Sequence, residues 1–186
     1  MVNVIHLNTP LKTEELEKLN VGDKVYISGT IYTARDAAHK RLVELIKEGK
    51  ELPFDIKGQV IYFVGPAPAR PGKPIGSAGP TTSYRMDPYS PILMDAGLKG
   101  MIGKGPRGKD VIDSMVKNKA VYFASIGGAA VVTAQSVRKS EVIAYSDLGA
   151  EAIRKLEVEN FPVYVANDTK GNDIYKIGVE KYKVDD

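Results

Sequence analysis

The 186-residue sequence contains no cysteine. That excludes structural disulfides, a thiolate nucleophile and any iron–sulfur cluster held by the chain's own thiolates. Histidine is scarce as well: His6 and His39 are too few for a zinc site without carboxylates to complete it. Charge of either sign is in small excess only. A formal net charge of +3 falls short of the strongly basic face that nucleic acid requires, so no nucleic-acid partner is expected. It suits a small anionic ligand, for which a few placed cations matter more than the total. No apolar run approaches the length of a membrane span. The start, Met1-Val2-Asn3-Val4-Ile5-His6, has neither the basic residues nor the apolar stretch of a secretory signal. A cytoplasmic protein without membrane attachment is the expectation.

What is present is ordinary globular composition. Apolar residues make up 43% and charged residues 26%, and the length suffices for one sizeable core. No repeat or boundary divides the chain, so residues 1–186 are expected to form a single domain. Residues 2–7 read as a strand and 13–19 as a short helix capped by Thr13. Residues 24–32 are β-branched and aromatic, hence a strand. Residues 35–48 place Ala38, Leu42, Leu45 and Ile46 on one helical face, and Gly49 ends the helix. The continuous apolar run 59–64 predicts a buried strand. Residues 65–80, dense in glycine and proline, cannot form a regular element, and a long loop after a buried strand is usually functional or disordered. Further on, 87–96 reads as a helix with Pro88 in its first turn, 99–102 as a strand, 110–117 as a helix and 120–124 as a strand, followed by Gly127-Gly128. Residues 141–145, 162–166 and 173–179 read as strands and 151–156 as a helix. Alternating strands and helices predict an α/β layer fold.

Three turns each carry a cation. In Thr33-Ala34-Arg35-Asp36-Ala37-Ala38-His39, Arg35 stands at a helix N-terminus, where free N–H groups favour anions. The alternative is a plain helix start with a solvated Arg35–Asp36 pair. His39 follows Asp36 by one turn, which predicts a hydrogen bond between them. In Gly79-Pro80-Thr81-Thr82-Ser83-Tyr84-Arg85-Met86-Asp87, three hydroxyls and a guanidinium precede a helix. Such groups can grip a carboxylate, with arginine binding it bidentately; the alternative is helix capping by a hydroxyl. Gly103-Lys104-Gly105-Pro106-Arg107-Gly108-Lys109-Asp110 nearly matches the phosphate-loop pattern G-x-x-x-x-G-K-[ST]. Asp110 stands where the magnesium-binding hydroxyl should be, and Pro106 removes an N–H. Lys104, between two glycines, is the better anion contact, and Arg107 is expected to matter little. Asn167-Asp168-Thr169 fits the glycosylation pattern but is incidental without a signal peptide.

Taken together, these segments resemble the C-terminal region of class I fumarases and L-tartrate dehydratases. The likeness runs through Ser28-Gly29-Thr30, the Arg35–His39 motif, the Gly79–Asp87 motif, Gly103-Lys104-Gly105 and Ser125-Ile126-Gly127-Gly128-Ala129-Ala130, covering residues 22–168. Each motif alone is weak, and the ordered combination is specific. The resemblance implies a swivelling β/β/α domain that acts as the beta subunit of a hydro-lyase. It implies a [4Fe–4S] cluster bound by a cysteine-containing alpha subunit and not by this chain, in a hetero-oligomer such as one of two alpha and two beta chains. On that likeness Arg35, Thr81, Arg85 and Lys104 bind a dicarboxylate substrate, Thr81 and Lys104 lie at the chemistry, and Asp36 and His39 support them.

Fumarate and malate are dianions, so two or three cations suit them, and cations already in place favour the negative charge that builds when a proton leaves beside a carboxylate. In that picture the open iron of the cluster polarises the hydroxyl that leaves or arrives. Fumarate is the expected substrate because of its place in central metabolism, the TCA cycle, with tartrate as the alternative. A stand-alone carboxylate- or phosphate-binding domain and a nucleotide-dependent enzyme using residues 103–109 are the rival readings.

Overall fold

The computed structural model describes residues 4–125 and 130–183. Gly127-Gly128, most of the 125–130 motif, and the first two residues of the expected opening strand lie outside the described residues. The architecture is mixed α/β. Its strands are β1 (Val4–Asn8), β2 (Lys24–Thr33), β3 (Val60–Tyr62), β4 (Gly100–Gly103), β5 (Val121–Ala124), β6 (Val137–Ala144) and β7 (Ile153–Asn167). They are ordered β1-β2-β3-β4-β5-β7-β6, and β2 also pairs with β7. The ring β2–β3–β4–β5–β7 therefore closes the sheet into a small barrel. Strands β2 to β5 run parallel, and β7 runs against both of its ring neighbours. β1 lies beside the first half of β2, and β6 beside the first part of β7.

Helices α1 (Thr13–Leu16), α2 (Asp36–Lys47), α3 (Ser90–Asp95), α4 (Lys109–Asn118), α5 (Ala130–Gln135) and α6 (Ile174–Tyr182) complete the described elements, with 3-10 turns at Ser83–Met86 and Ser146–Glu151. Two cores explain the pattern. Val25, Ile27, Ile31, Val60, Tyr62, Phe123, Phe161 and Val163, from strands all round the ring, fill one core inside the barrel. Ile61, Phe63, Met101 and Tyr122 face outward against Ala38 and Leu42 of α2, Leu93 and Met94 of α3, and Val111 and Met115 of α4. Alternate residues of the 60–63 run thus belong to different cores, which is why a strand covered on both faces is apolar throughout. Each large apolar side chain so buried contributes about 1.5–3 kcal/mol.

Four expectations need correction. Residues 151–156 are not helical: Ile153–Asn167 is one strand of 15 residues. Leu156 and Val158 point into the barrel core while Glu157 and Glu159 stay exposed, a period of two that helix-forming residue types had masked. Pro162 is tolerated there because it sits beside the register shift opposite Ile27–Gly29, where Asn160 takes φ 51°. Residues 173–179 form α6 instead of a strand; the Asp173 carboxylate accepts from the Tyr175 N–H at 3.0 Å and caps the helix. The helix expected from Asp87 starts at Ser90, with Pro91 and not Pro88 in its first turn. Thr13 is the first residue of α1 and not its cap, which is Lys12 with no side-chain bond. Helix α5 and the first half of β6 had no counterpart among the expected elements.

The parallel strands all end at the same rim of the barrel. The segments that follow β2, β3, β4 and β5 leave from that rim, where open and closed α/β sheets commonly hold ligands. β7 enters there too, with Arg154 paired to Thr33 at the end of β2.

Candidate anion-binding rim

Arg35 is the residue after β2's short exit and the N-cap of α2, with extended backbone at φ −118° and ψ −162°. Its carbonyl accepts the His39 N–H at 2.9 Å and also the His39 ring at Nδ1, 2.8 Å away. A carbonyl can only accept, so Nδ1 carries the proton. The expected Asp36–His39 bond is absent: His39 is turned inward, fully buried beside the Phe63 and Tyr89 rings. Burial pushes its pKa down to about 4, with the nearby Arg107 charge adding to the effect, so the ring is neutral at ordinary pH. Its Nε2 is buried without a hydrogen-bond partner among the described residues. The Arg35 guanidinium lies against Gly65, where a Cβ would come within 2.9 Å of Nη1. Arg35 Nε stands 3.7 Å from Glu151 Oε1, too far for a hydrogen bond but within ion-pair range.

The long loop after β3 is ordered by its own pairing, Ala67 N–H to Ser77 O at 2.9 Å and Gly76 N–H to Ala67 O at 3.1 Å. It returns across the ends of β3 and β4. Thr81 N–H donates to Phe63 O at 2.7 Å, Lys104 N–H to Thr81 O at 3.3 Å and Ser83 N–H to Lys104 O at 2.9 Å. Thr82 and Lys104 form an isolated parallel bridge. Thr81 and Lys104 are therefore joined through their main chains. The Lys104 side chain is exposed and makes no hydrogen bond or ion pair with the described residues.

Arg85, at the end of the 3-10 turn, is bonded bidentately to Asp36: Nε to Oδ1 at 3.1 Å and Nη2 to Oδ2 at 2.7 Å. The motif after β2 and the motif after β3 are thus tied together by their side chains. All four candidate residues, Arg35, Thr81, Arg85 and Lys104, lie in segments leaving one rim. Two clefts lie elsewhere. One of about 820 Å³ includes Arg70, Lys73, Ile75 and Val131, and one of about 480 Å³ includes Lys139, Glu141 and Lys155; neither includes any of the four.

The 103–110 loop is a different object from a phosphate cradle. Arg107, expected to matter little, is wholly buried between the Phe63 and Tyr122 rings, at 5.3 and 5.0 Å from their centroids. Its Nε donates to Asp87 Oδ1 at 2.7 Å and its Nη2 to Ser90 Oγ at 2.6 Å. Burial lowers its pKa, and the Asp87 carboxylate offsets part of that effect. The other Asp87 oxygen takes the Gly108 N–H at 2.7 Å, at the start of α4. The protein's own carboxylate therefore occupies the helix terminus that a phosphate would need. Beneath the rim, Ser83 Oγ lies 2.8 Å from the Tyr122 hydroxyl, which donates to Gly105 O at 2.8 Å. Asp87, Arg107, Ser83 and Tyr122 hold the two loops together. Sequence reading missed their roles because partners 20 and 39 positions apart leave no local pattern.

Among the described residues, no three His, Cys, Asp or Glu side chains gather as a metal site, and with no cysteine in the chain the donor set does not fit an iron–sulfur cluster. No helix among them is long and apolar enough to cross a membrane.

Comparison with known proteins adds the family. The model described as Fumarase C-terminus matches residues 1–178. The anaerobic class I fumarate hydratase of Escherichia coli K12 is 45% identical over 181 residues, which are 95% of this chain and 33% of that protein. Fumarate hydratase 1, mitochondrial, of Leishmania major is 41% identical, over 93% of this chain and 32% of its own length. The chain thus spans about a third of these fumarate hydratases. A protein of Methanocaldococcus jannaschii named putative L(+)-tartrate dehydratase subunit beta is 39% identical over 89% of this chain and 88% of itself.

Proposed function

Because the chain belongs to the Fumarase C-terminus family, we propose that it is the beta component of a [4Fe–4S] hydro-lyase that interconverts fumarate and (S)-malate. The observation that carries this reading is the collection of Arg35, Thr81, Arg85 and Lys104 in segments that leave one end of a barrel. The reading takes residues 1–186 as a single swivelling β/β/α domain. A cysteine-containing alpha subunit holds the cluster in a cytoplasmic hetero-oligomer that serves central metabolism. The cluster's ligands and its chemistry belong to that partner, and no step through it is assigned to this chain.

What this chain supplies is charge and position. A dianion needs cations at both ends, and Arg35, Arg85 and Lys104 provide three. Negative charge grows on the substrate as the proton beside the carboxylate leaves, so cations held in place by main-chain pairing lower the barrier without having to reorganise. Thr81 stands beside Lys104 as a hydroxyl near the transferred proton.

A second reading, the beta subunit of an L-tartrate dehydratase, is favoured by one observation: the match to the putative L(+)-tartrate dehydratase subunit beta of Methanocaldococcus jannaschii covers 88% of that protein's own length. The test is hydro-lyase turnover, hydration of fumarate against dehydration of tartrate, followed by ultraviolet absorbance or by coupled enzymes. The isolated chain, treated with iron and sulfide, should be colourless and inactive, and mixing it with a cluster-bearing alpha chain should produce activity. Fumarate turnover far above tartrate turnover supports the first reading, and the reverse supports the second. Activity from the isolated chain would sink both.

A further inference from the structure

The guanidinium of Arg85 has five N–H donors in a plane. Asp36 takes two of them, at Nε and Nη2, through both of its oxygens. Neither Nη1 hydrogen nor the second Nη2 hydrogen has a partner among the described residues. One edge of the fork is therefore committed within the protein, and the end-on edge, Nη1 with Nη2, faces away from Asp36.

We propose that Asp36 is a positioning residue for the rim: its carboxylate holds the Nε–Nη2 edge of Arg85, so that a substrate carboxylate is gripped by the Nη1–Nη2 edge. The inference rests on the dicarboxylate reading above and deepens it, by naming which face of the arginine meets substrate and what keeps it there. Three observations support it. The pair is half-exposed, with side-chain exposures of 42% for Arg85 and 33% for Asp36, so it adds little to stability and its bidentate geometry needs another reason. The backbone on either side of Arg85 is independently pinned, by Ser83 N–H to Lys104 O and by Asp87 to Arg107 and Gly108. Only the head of the long side chain is left to be fixed, and Asp36 fixes it. Finally, Asp36 adjoins Arg35, so the same helix start that presents one cation sets the direction of the other.

The experiment uses the assembled enzyme, this chain with its cluster-bearing partner, and fumarate hydration kinetics for Asp36→Asn, Asp36→Glu, Arg85→Lys and the double variant Asp36→Asn/Arg85→Lys. Losing the brace frees the arginine head before substrate arrives, so Asp36→Asn should raise KM by roughly tenfold with kcat within about threefold. Asp36→Glu, which keeps a carboxylate, should recover most of that. The double variant should match Arg85→Lys within about twofold, because both changes act on one contact. The melting temperature of Asp36→Asn should move by only a few degrees, as for any exposed pair. Arg85→Lys losing activity while Asp36→Asn behaves like the parent overturns this inference alone, as does a double variant whose losses multiply. A loss in Asp36→Asn that follows a large drop in melting temperature and is not recovered by glutamate marks a merely structural residue and overturns it too. A parent enzyme that hydrates no dicarboxylate overturns the proposed function and this inference with it.

Discussion

The three nitrogens of the buried Arg107 meet Asp87, Ser90 and the Met101 sulfur. A lysine there keeps the charge but offers one nitrogen where three are used. Arg107→Lys should destabilise the fold by about 2–4 kcal/mol, since it leaves the half-buried Asp87 carboxylate or the buried Ser90 hydroxyl poorly paired. Urea denaturation of the isolated chain measures this, and a change under ~1 kcal/mol would contradict it. His39 makes a second residue-scale prediction. Its folded pKa, about 4, lies below the ordinary 6.5, so the unfolded chain binds the proton first as pH falls. Stability is therefore fully present above about pH 6.5 and is lost as pH drops toward 4, by roughly 3 kcal/mol from this group. His39→Asn keeps a donor for the Arg35 carbonyl and removes the titration. It should be less stable at pH 7 but flatter in its pH dependence over that window by about the same amount. Equal slopes for the two proteins would show that His39 does not carry the effect.

The end of β4 passes directly beneath the 81–87 turn, so that element tolerates no side chain. A Cβ at Gly103 would lie 1.9 Å from Ser83 Oγ and 2.9 Å from the Phe63 ring. Ser83 cannot yield without leaving the Tyr122 hydroxyl, which burial holds in its neutral form. Gly103→Ala should therefore cost about 3 kcal/mol and displace the Thr81–Lys104 bridge. Gly178, inside α6, has nothing within 4 Å of such a Cβ and no positive φ. Gly178→Ala should leave stability unchanged or raise it by up to ~1 kcal/mol, from helix propensity alone. Thermal melts of both variants check the contrast, and equal losses would mean that the close approach at Gly103 is not what matters. Element type was legible where one period dominated. α2 and α4 have an apolar face at helical spacing, and β3 and β5 are apolar on both sides. It was not legible in β7, whose outward Glu157 and Glu159 and inward Leu156 and Val158 alternate through good helix formers.

For the whole molecule, β7 is the piece that closes the ring, since it pairs with β2 along nearly its full length and with β5 at its end. The inner core draws side chains from every strand of that ring, so no strand can leave without opening the core. Unfolding of the isolated chain should accordingly be a single transition, coincident by far-UV circular dichroism and tyrosine fluorescence. Separated transitions would contradict the single-domain reading. Closure also brings the candidate residues together. Parallel strands put Arg35, Thr81, Arg85 and Lys104 at one rim, although they span 70 positions of sequence, 35 to 104.

Residue types and local spacing alone determined which segments carry cations, that no thiolate is available for a cluster, and that strands and helices alternate. Those properties depend only on side-chain chemistry and on neighbours three or four residues away. Which guanidinium stays at the surface and which is buried was decided by the tertiary structure. Arg85 and Arg107 sit in similar glycine-bearing loops, yet one keeps an outward edge while the other is sealed between two rings. Asp36 meets Arg85, 49 positions on, and not the nearby His39, because the His39 ring is buried beside Phe63 with its Nδ1 on the Arg35 carbonyl, while the guanidinium offers a bidentate pair of donors. Such choices turn on burial and on contacts made across a closed sheet, which no local pattern in the chain records.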